Sequence, residues 1–194
     1  MKRLNLSVMV LSIAFVAISA NVKAQDDKDD THTIAVGIPE VALVDIESAT
    51  SKNISMGFTA PTEAGLPLTT PADNSTLWLN YSSIKTSTGA DTSRTISVKL
   101  SPVIVGVDVK VAAAAYSGSG EGTVGTPSSP LTLTTTDQPI LTGIGSVYTG
   151  NGVSNGHNLT YSVNYGTTGG TAVYADLVAN PTASTTVTYT ISDN

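Results

Sequence analysis

Two acidic residues are the first candidates for chemistry in this sequence. Asp45 and Glu47 are two positions apart, so on a β-strand their side chains lie on the same face. Paired carboxylates are the groups that glycoside hydrolysis uses. The pair also stands where an apolar run passes into residues 48–51, Ser-Ala-Thr-Ser, and a solvated strand end is the commoner explanation of such a pair. We therefore rank an enzyme built on this pair behind binding and assembly.

Cysteine and histidine offer little support for catalysis or metal binding. The chain contains no Cys, which excludes disulfide frameworks, Cys-ligated zinc, iron–sulfur clusters and thiol nucleophiles. Its two histidines, His32 and His157, each lack a second His at metal-ligand spacing. No G-x-S-x-G elbow is present to expose a nucleophilic serine. We therefore expect a protein that is not an enzyme, without a catalytic residue or a metal site.

Residues 120–125 match the pattern G-x-G-x-x-G of dinucleotide-binding loops. Such a loop cradles a phosphate only when a helix begins directly after it. Here the following residues 126–130 read Thr-Pro-Ser-Ser-Pro, which cannot begin a helix. The segment is predicted to be a flexible loop, and no cofactor is expected.

The only tryptophan is the candidate for ligand binding. Residues 77–81 read Leu-Trp-Leu-Asn-Tyr, so on a strand Trp78 and Asn80 share the face opposite the leucines. An exposed indole beside an amide could stack on a sugar ring, which makes a carbohydrate-binding module the alternative function. The interpretation that we favour from the sequence is a strand buried on both faces, with Trp78 as a core residue, and the exposed indole stays open as the other one.

The polarity of the chain comes more from hydroxyl groups than from charges. Charged residues make up 12 % of the 194 residues, about half of the roughly 25 % in an average soluble domain. Thr and Ser number 29 and 22. Without residues 1–24, six cations and fifteen anions leave a net charge of −9. A polyanion is repelled by such a field, so no nucleic-acid partner is expected.

Residues 1–24 have the three parts of a secretory signal peptide. Lys2 and Arg3 precede an apolar run at residues 4–20, and Val22 and Ala24 stand at the −3 and −1 positions of a cleavage site. Polar residues interrupt this run, which is shorter than the about 20 apolar residues of a membrane span. We expect export to the periplasm, the cell surface or a fimbrium, or the medium, with no transmembrane span after cleavage.

Alternation of apolar and hydroxyl residues dominates the chain from Thr33 onwards, and it predicts strands with one buried face. The clearest apolar sets are Ile34/Val36/Ile38, Ile54/Met56/Phe58, Leu77/Leu79/Tyr81, Ile96/Val98/Leu100, Val107/Val109/Val111, Leu159/Tyr161/Val163/Tyr165, Val173/Ala175/Leu177 and Val187/Tyr189/Ile191. Weaker strands are predicted at residues 41–46, 131–135 and 143–148.

The segments between these runs contain the residues that break strands. Two Asn-Gly pairs, at residues 151–152 and 155–156, are typical of tight turns and predict a β-hairpin over residues 143–165. No stretch after residue 24 sustains a helical period. The sequence therefore predicts one all-β domain over residues 33–194, an antiparallel immunoglobulin-like β-sandwich of about ten strands.

The start of the exported chain suggests an assembly function. Residues 25–32 carry four carboxylates and predict a flexible acidic leader. In the leader segment that follows, residues 33–38, Ile34, Val36 and Ile38 alternate with small residues, and Pro39 ends the run because it has no amide hydrogen for a ladder. Such a segment on a charged tether could add to the open sheet of a neighbouring subunit. Pairing within its own sheet is the alternative.

The order of these segments resembles that of a known family. The leader segment, Pro39, the run at residues 41–46 and the stretch ISMGFTAP at residues 54–61 are similar to the start of fimbrial major subunits of the colonisation-factor type. The stretches RTISVKLS at residues 94–101 and TVTYTI at residues 186–191 are similar to strands of those subunits.

The resemblance implies an incomplete sandwich that binds a periplasmic chaperone before assembly. Such subunits polymerise by donor-strand exchange. In that scheme Ile34, Val36 and Ile38 fill the groove of a neighbour. The leading interpretation is a non-catalytic, exported structural or adhesive surface protein that associates with itself or with other surface subunits. A glycan partner for Trp78 and Asn80 belongs to the alternative.

Overall fold

The computed structural model describes residues 28–86, 92–168, 171–172 and 174–194. The predicted signal peptide at residues 1–24 lies outside this range, as do the first three residues of the acidic leader. The chain separates into two units, Met1–Gly37 and Ile38–Asn194. In the described residues, no helix is long and apolar enough to cross a membrane.

The second unit is built from antiparallel β-strands. Seven strands have seven or more residues: β1 (Val41–Ser48), β2 (Asn74–Ile84), β3 (Arg94–Ser101), β4 (Val107–Ala113), β8 (Gln138–Ile144), β10 (His157–Tyr165) and β13 (Thr186–Asp193). Six more have two residues each: β5 (Glu121–Gly122), β6 (Thr126–Pro127), β7 (Leu131–Thr132), β9 (Val147–Tyr148), β11 (Thr167–Thr168) and β12 (Thr171–Ala172). A short 3₁₀ turn covers Tyr174–Asp176.

These strands form two large sheets. The seven-stranded sheet has the order β5-β9-β2-β10-β4-β7, with β1 also paired to β2, and the four-stranded sheet has the order β13-β3-β8-β6. Strands β11 and β12 form a separate ladder. The expected all-β, antiparallel class is confirmed. The number of strands in the described residues exceeds the expected ten, because short two-residue ladders are not visible as apolar alternation.

Alternation explains why the long strands bury one face. In β3 the side chains of Arg94, Ile96, Val98 and Leu100 are buried, and the residues between them are partly exposed. Branched residues such as Val, Ile and Thr pack well on a pleated surface, which favours these stretches as strands. Both large sheets contribute to one hydrophobic core, which contains Leu77, Leu79, Tyr81, Val109, Val111, Leu159 and Tyr161 from the first sheet and Ile96, Val98, Leu100, Ile140, Leu141 and Ile144 from the second.

The pairing of β2 corrects the predicted hairpin at residues 143–165. Strand β1 follows one edge of β2 over residues 77–84. On the other edge, β10 pairs with residues 74–79 and β9 pairs with Ser82 and Ser83. Strands β9 and β10 therefore lie end to end along the same edge of β2 and do not pair with each other. The hairpin prediction is wrong because the chain between them leaves this edge and returns to it without reversing.

Residues 149–156, which we call the edge loop, connect β9 to β10 and interrupt the pairing along this edge of β2. Thr149 still donates its backbone N–H to the carbonyl of Tyr81, and His157 resumes the pairing opposite Leu79. Gly156 has a φ of +81°, and a Cβ there would overlap the backbone oxygen of Leu79. Glycine is therefore required where the loop rejoins the sheet.

Three of the predicted strands are absent, and one of them is the segment at residues 33–38, since residues 28–40 contain no strand. Residues 54–58 carry no ladder, although Ile54, Met56 and Phe58 are partly buried and alternate with exposed residues. The predicted strand Val173/Ala175/Leu177 is wrong because Tyr174–Asp176 turns into a 3₁₀ helix; Val173 itself lies outside the described residues. The Tyr174 ring at the start of this turn packs edge-on against Tyr165.

Candidate functional site

The leader segment exposes the three aliphatic side chains that the sequence singles out. Ile34, Val36 and Ile38 are 75 %, 77 % and 78 % exposed, and residues 28–40 contain no strand. The alternative in which this segment pairs within its own sheet is therefore absent from the structure. Large aliphatic side chains exposed in a row are a common mark of an interaction site.

A large groove opens in the second unit, and we call it the open groove. It has a volume of about 2000 Å³. Its walls include inward-facing residues of both large sheets, namely Val44, Ile46, Leu77, Val107, Val109, Tyr161 and Val163 from the seven-stranded sheet and Val187 and Tyr189 from the four-stranded sheet. Further lining residues come from the unpaired stretch 54–58, from 102–105 and from 177–186, and the charged pair Asp45 and Lys52 also belongs to the lining. Part of the apolar interior is thus accessible from outside.

The groove lies beside two strands with an unpaired edge. In the described part of the chain, β1 pairs only with β2, and β13 pairs only with β3. An unpaired edge presents backbone N–H and C=O groups that can accept another strand. The groove therefore offers both requirements of strand addition, which are free backbone groups and an apolar floor.

A hydrogen bond between two tyrosines stands in the groove wall. The hydroxyl groups of Tyr161 on β10 and Tyr189 on β13 lie 2.7 Å apart. Burial raises the pKa of Tyr161 to about 12, and burial and the neighbouring phenol raise the pKa of Tyr189 as well. Both hydroxyls are therefore neutral at ordinary pH, and one of them donates its hydrogen to the oxygen of the other in an apolar wall.

Arg94 connects the start of β1 to the end of β13. These two strand ends lie outside the lining of the open groove. The side chain of Arg94 is fully buried. It forms ion pairs with Glu40, directly before β1, and with Asp193, at the end of β13, where its Nε lies 2.5 Å from Oδ1. It also donates to the carbonyl of Val41 and, over 3.2 Å, to that of Ile84. A buried charge requires such partners, and here they fix two otherwise separate strand ends.

The candidate glycan residue Trp78 lies on the outer face of the seven-stranded sheet. Leu77 and Leu79 on either side of it are buried in the core, whereas Trp78 is partly exposed. Trp78 stands opposite Glu47 of β1 and Asn158 of β10, and directly opposed residues in an antiparallel pair share a face. Of the two interpretations that the sequence leaves open, the structure favours an outward-facing indole.

Asn80 lies on the same face but is not free to contact a ligand. It is buried, and its Nδ2 donates to the carbonyl of Gly152 in the edge loop over 2.9 Å. The Oδ1 atom of Asn80 is buried without a hydrogen-bond partner in the described part of the chain. Asn80 therefore holds the edge loop, and the sheet register places Asn158 beside Trp78 instead.

The carboxylate pair Asp45 and Glu47 also lies on this outer face. Lys52 binds Asp45 with an Nζ to Oδ1 distance of 2.8 Å. That hydrogen bond lowers the pKa of Asp45, and Asp45 in turn raises the pKa of Lys52. A general acid for glycoside hydrolysis needs a raised pKa, so Asp45 is poorly suited to that task.

The glycine pattern at residues 120–125 contains no helix start. It carries β5, which pairs with β9, and it is followed by β6, which pairs with β8. Gly125 also donates its backbone N–H to the hydroxyl of Tyr81 over 2.8 Å. The expected absence of a helix is observed, whereas the prediction of a flexible loop is wrong for this segment because both sheets hold it.

His157 is buried. Its Nδ1 lies 2.8 Å from the carbonyl of Ala114 and its Nε2 lies 3.1 Å from the hydroxyl of Tyr81. Because a carbonyl only accepts, Nδ1 carries the proton, and Nε2 accepts from Tyr81. Burial lowers the pKa of His157 and raises that of Tyr81. His32 lies in the exposed leader, so the two histidines have different environments.

No group of three or more acidic or histidine side chains in the described ranges could hold a metal ion. No family model matches the chain, and neither curated proteins nor solved structures give a match. The assignment of function therefore rests on the residues and geometry of this chain.

Proposed function

We propose that the protein is a non-catalytic, exported structural subunit of a cell-surface assembly, joined to its neighbours by strand addition. In this proposal the leader segment of one copy enters the open groove of the next. The two large sheets would act as an incomplete antiparallel sandwich of the immunoglobulin-like or pilin-like type. The observation that carries the proposal is an accessible apolar groove in a chain that also exposes an unpaired apolar segment.

The side-chain pattern of the leader segment suits such a groove. Ile34, Val36 and Ile38 occur at every second position, so in an extended backbone all three point to the same side. The groove lining is rich in Val, Ile and Tyr side chains. Burying an aliphatic side chain contributes about 1.5–3 kcal/mol, and three such side chains give enough to offset part of the cost of ordering the segment.

Pro39 favours pairing with another copy over folding back. Only Pro39 and Glu40 separate Ile38 from the start of β1 at Val41. A two-residue hairpin needs a positive φ at its first loop position, whereas proline fixes φ near −65°. The leader segment is therefore hindered from forming a hairpin with β1 of its own chain, while its backbone remains free to pair with a neighbour.

An unfilled groove also implies a partner before assembly. An exposed apolar groove and open strand edges promote aggregation of an exported chain. A periplasmic chaperone that covers the groove until a leader segment replaces it would prevent this, and we include such a chaperone in the proposal. Other surface subunits with a similar segment are equally suited to occupy the groove.

Two purified forms test the proposal: the chain from Gln25 and a shorter chain from Pro39. Analytical ultracentrifugation should show concentration-dependent association of the longer form and a monomer for the shorter one. A synthetic peptide of residues 31–40 should bind the shorter form and raise its Tm, because a ligand specific for the folded state stabilises it. Val36→Asp in the peptide should abolish this effect.

Thr31→Asp is the matched control, because it adds the same charge outside the apolar triplet. A peptide with this change should still raise the Tm of the shorter form. The proposal fails if both protein forms are monomers and the unmodified peptide leaves the Tm unchanged. It also fails if the two substituted peptides behave alike.

A further inference from the structure

The outer face around Trp78 brings polar side chains from two neighbouring strands next to the indole. The indole lies in one row across three strands, between Glu47 on β1 and Asn158 on β10. Side chains directly opposite each other in an antiparallel pair have Cβ atoms about 4.5–5.5 Å apart. An aromatic ring is therefore flanked on both sides by polar groups within reach of one small ligand.

Hydrogen bonds fix the flanking amide. The Nδ2 atom of Asn158 donates to the carbonyl of Ser75 over 2.9 Å and to that of Leu77 over 3.2 Å. Its Oδ1 atom is consequently the part of the amide left for a ligand, and it can only accept hydrogen bonds. Because the side chain is held in place before binding, less conformational entropy is lost when a ligand arrives.

The carboxylate of Glu47, on the other side of Trp78, also offers only hydrogen-bond acceptors. Glu47 is partly exposed and, when ionised, only accepts hydrogen bonds. Asp45 lies two residues away on the same strand and carries a further negative charge, which Lys52 balances. The row thus combines an aromatic surface with hydrogen-bond acceptors and little net positive charge.

The edge loop limits the site on one side. Asn80 lies two residues beyond Trp78 on β2, and its amide holds the carbonyl of Gly152 against this face. The indole therefore stands next to a step made by the loop, in contrast to an uninterrupted flat sheet. Such a step restricts the orientation of a ring stacked on Trp78.

We propose that Trp78, Glu47 and Asn158 form a binding site for a neutral saccharide. A sugar ring has an apolar face of C–H groups that stacks on an aromatic surface and a rim of hydroxyl groups that donate hydrogen bonds. Glu47 and Asn158 provide acceptors for that rim, and the negative charge at Glu47 disfavours anionic sugars. Trp78, Glu47 and Asn158 do not line the open groove, although the neighbouring Asp45 and Lys52 do, and binding at these three residues does not depend on strand addition.

The single tryptophan provides a direct measurement, because all indole fluorescence of the protein comes from Trp78. The chain from Gln25 is titrated to millimolar concentration with cellohexaose, chitohexaose, xylohexaose and mannohexaose. At least one of these probes should change the emission intensity or wavelength in a saturable way. Sulfated or uronic-acid hexasaccharides should bind more weakly than the neutral probe.

Variants connect the signal to the named residues. Calorimetry with the binding hexasaccharide should show about tenfold or greater loss of affinity in Trp78→Ala. Glu47→Gln and Asn158→Ala, which preserve the indole, should each weaken binding severalfold. Tyr148→Ala is the control, because Tyr148 is an exposed aromatic residue on the same face, opposite Ser82 and four residues further along β2.

Several results would overturn the proposal. The first is that none of the neutral hexasaccharides changes the fluorescence at millimolar concentration. Another is that Trp78→Ala, with an unchanged circular dichroism spectrum, binds as tightly as the parent. A Tyr148→Ala variant that loses as much affinity as Trp78→Ala would also refute this location, because binding would then not be confined to the Trp78 row.

Discussion

The hydroxyl oxygens of Tyr161 and Tyr189 lie 2.7 Å apart and connect the seven-stranded sheet to the four-stranded sheet. Both side chains line the open groove. The two sheets therefore share a polar contact at the place where their apolar packing is least complete. The pair fixes the separation of the sheets beside the groove.

Removal of either hydroxyl leaves the other one buried without its partner. Tyr161→Phe and Tyr189→Phe should each lower the free energy of unfolding by about 1–2 kcal/mol. The double variant should cost less than the sum, because it leaves no unpaired hydroxyl. Urea denaturation of the four proteins in this cycle measures the coupling. Additive losses would show that the two hydroxyls do not interact.

The buried Arg94 supports a second prediction. Arg94→Met should lower the free energy of unfolding by about 3–5 kcal/mol, because Glu40, Asp193 and the carbonyl of Val41 lose a common donor. Arg94→Lys should recover only part of this, since an ammonium group lacks the planar fork of donors. Thermal and urea unfolding measure both losses.

Lys99→Met is the control for Arg94. Lys99 pairs with Asp137 over 3.0 Å, but both side chains are substantially exposed. Such surface pairs contribute about 0–1 kcal/mol, so this variant should remain close to the parent in stability. Equal losses for Arg94→Met and Lys99→Met would contradict the assigned role of Arg94.

The sequence predicts the strands of this fold well where alternation coincides with burial. Ile96, Val98 and Leu100 form the inward stripe of β3 as expected. Arg94 belongs to the same stripe, but its burial depends on Glu40 and Asp193, which are distant in sequence. A charged residue at an inward position is not recognisable as buried until its partners are known.

Alternation of apolar and polar residues alone also does not predict whether a segment pairs with another strand, or with which one. Residues 54–58 have the expected pattern of partial burial but no ladder. The Asn-Gly pairs at residues 151–152 and 155–156 are ordinary hairpin signals, yet here they belong to a loop that interrupts one edge of β2. Local sequence determines the turn geometry, whereas the choice of partner strand depends on the whole sheet.

The candidate saccharide site can likewise be predicted only in part from local sequence. The outward direction of Trp78 follows from its place between two leucines. Its neighbours in the row, Glu47 and Asn158, follow only from the register of β1 and β10 against β2. Sequence adjacency instead suggests Asn80, which the structure assigns to the edge loop.

His157 leads to a prediction about acidic pH. Burial lowers its pKa in the folded state below the ordinary value near 6.5. Protonation therefore favours the unfolded chain, so the stabilising effect is complete above pH 6.5 and is lost as the pH falls towards the folded-state pKa. Urea unfolding at a series of pH values should show this decline.

The two histidines allow a matched comparison. His157→Gln should have a weaker dependence of stability on pH below 6.5, in addition to a lower stability at neutral pH. His32→Gln changes an exposed residue of the leader and should retain the pH dependence of the parent. An unaltered slope in His157→Gln would show that other groups cause the acid sensitivity.

Two glycines of the edge loop allow the cost of a positive φ to be measured apart from the cost of a steric overlap. Gly152 and Gly156 have φ values of +86° and +81°, but a Cβ on Gly152 meets no atom within 4 Å, whereas one on Gly156 overlaps the backbone oxygen of Leu79. Gly152→Ala should therefore cost about 1 kcal/mol for the positive φ alone. Gly156→Ala should cost about 3 kcal/mol or more, because the loop must also move away from β2. Urea denaturation measures both values. Equal losses would mean that residue 156 does not rejoin β2 as closely as the register indicates, and the continuity of β9 and β10 along that edge would have to be abandoned.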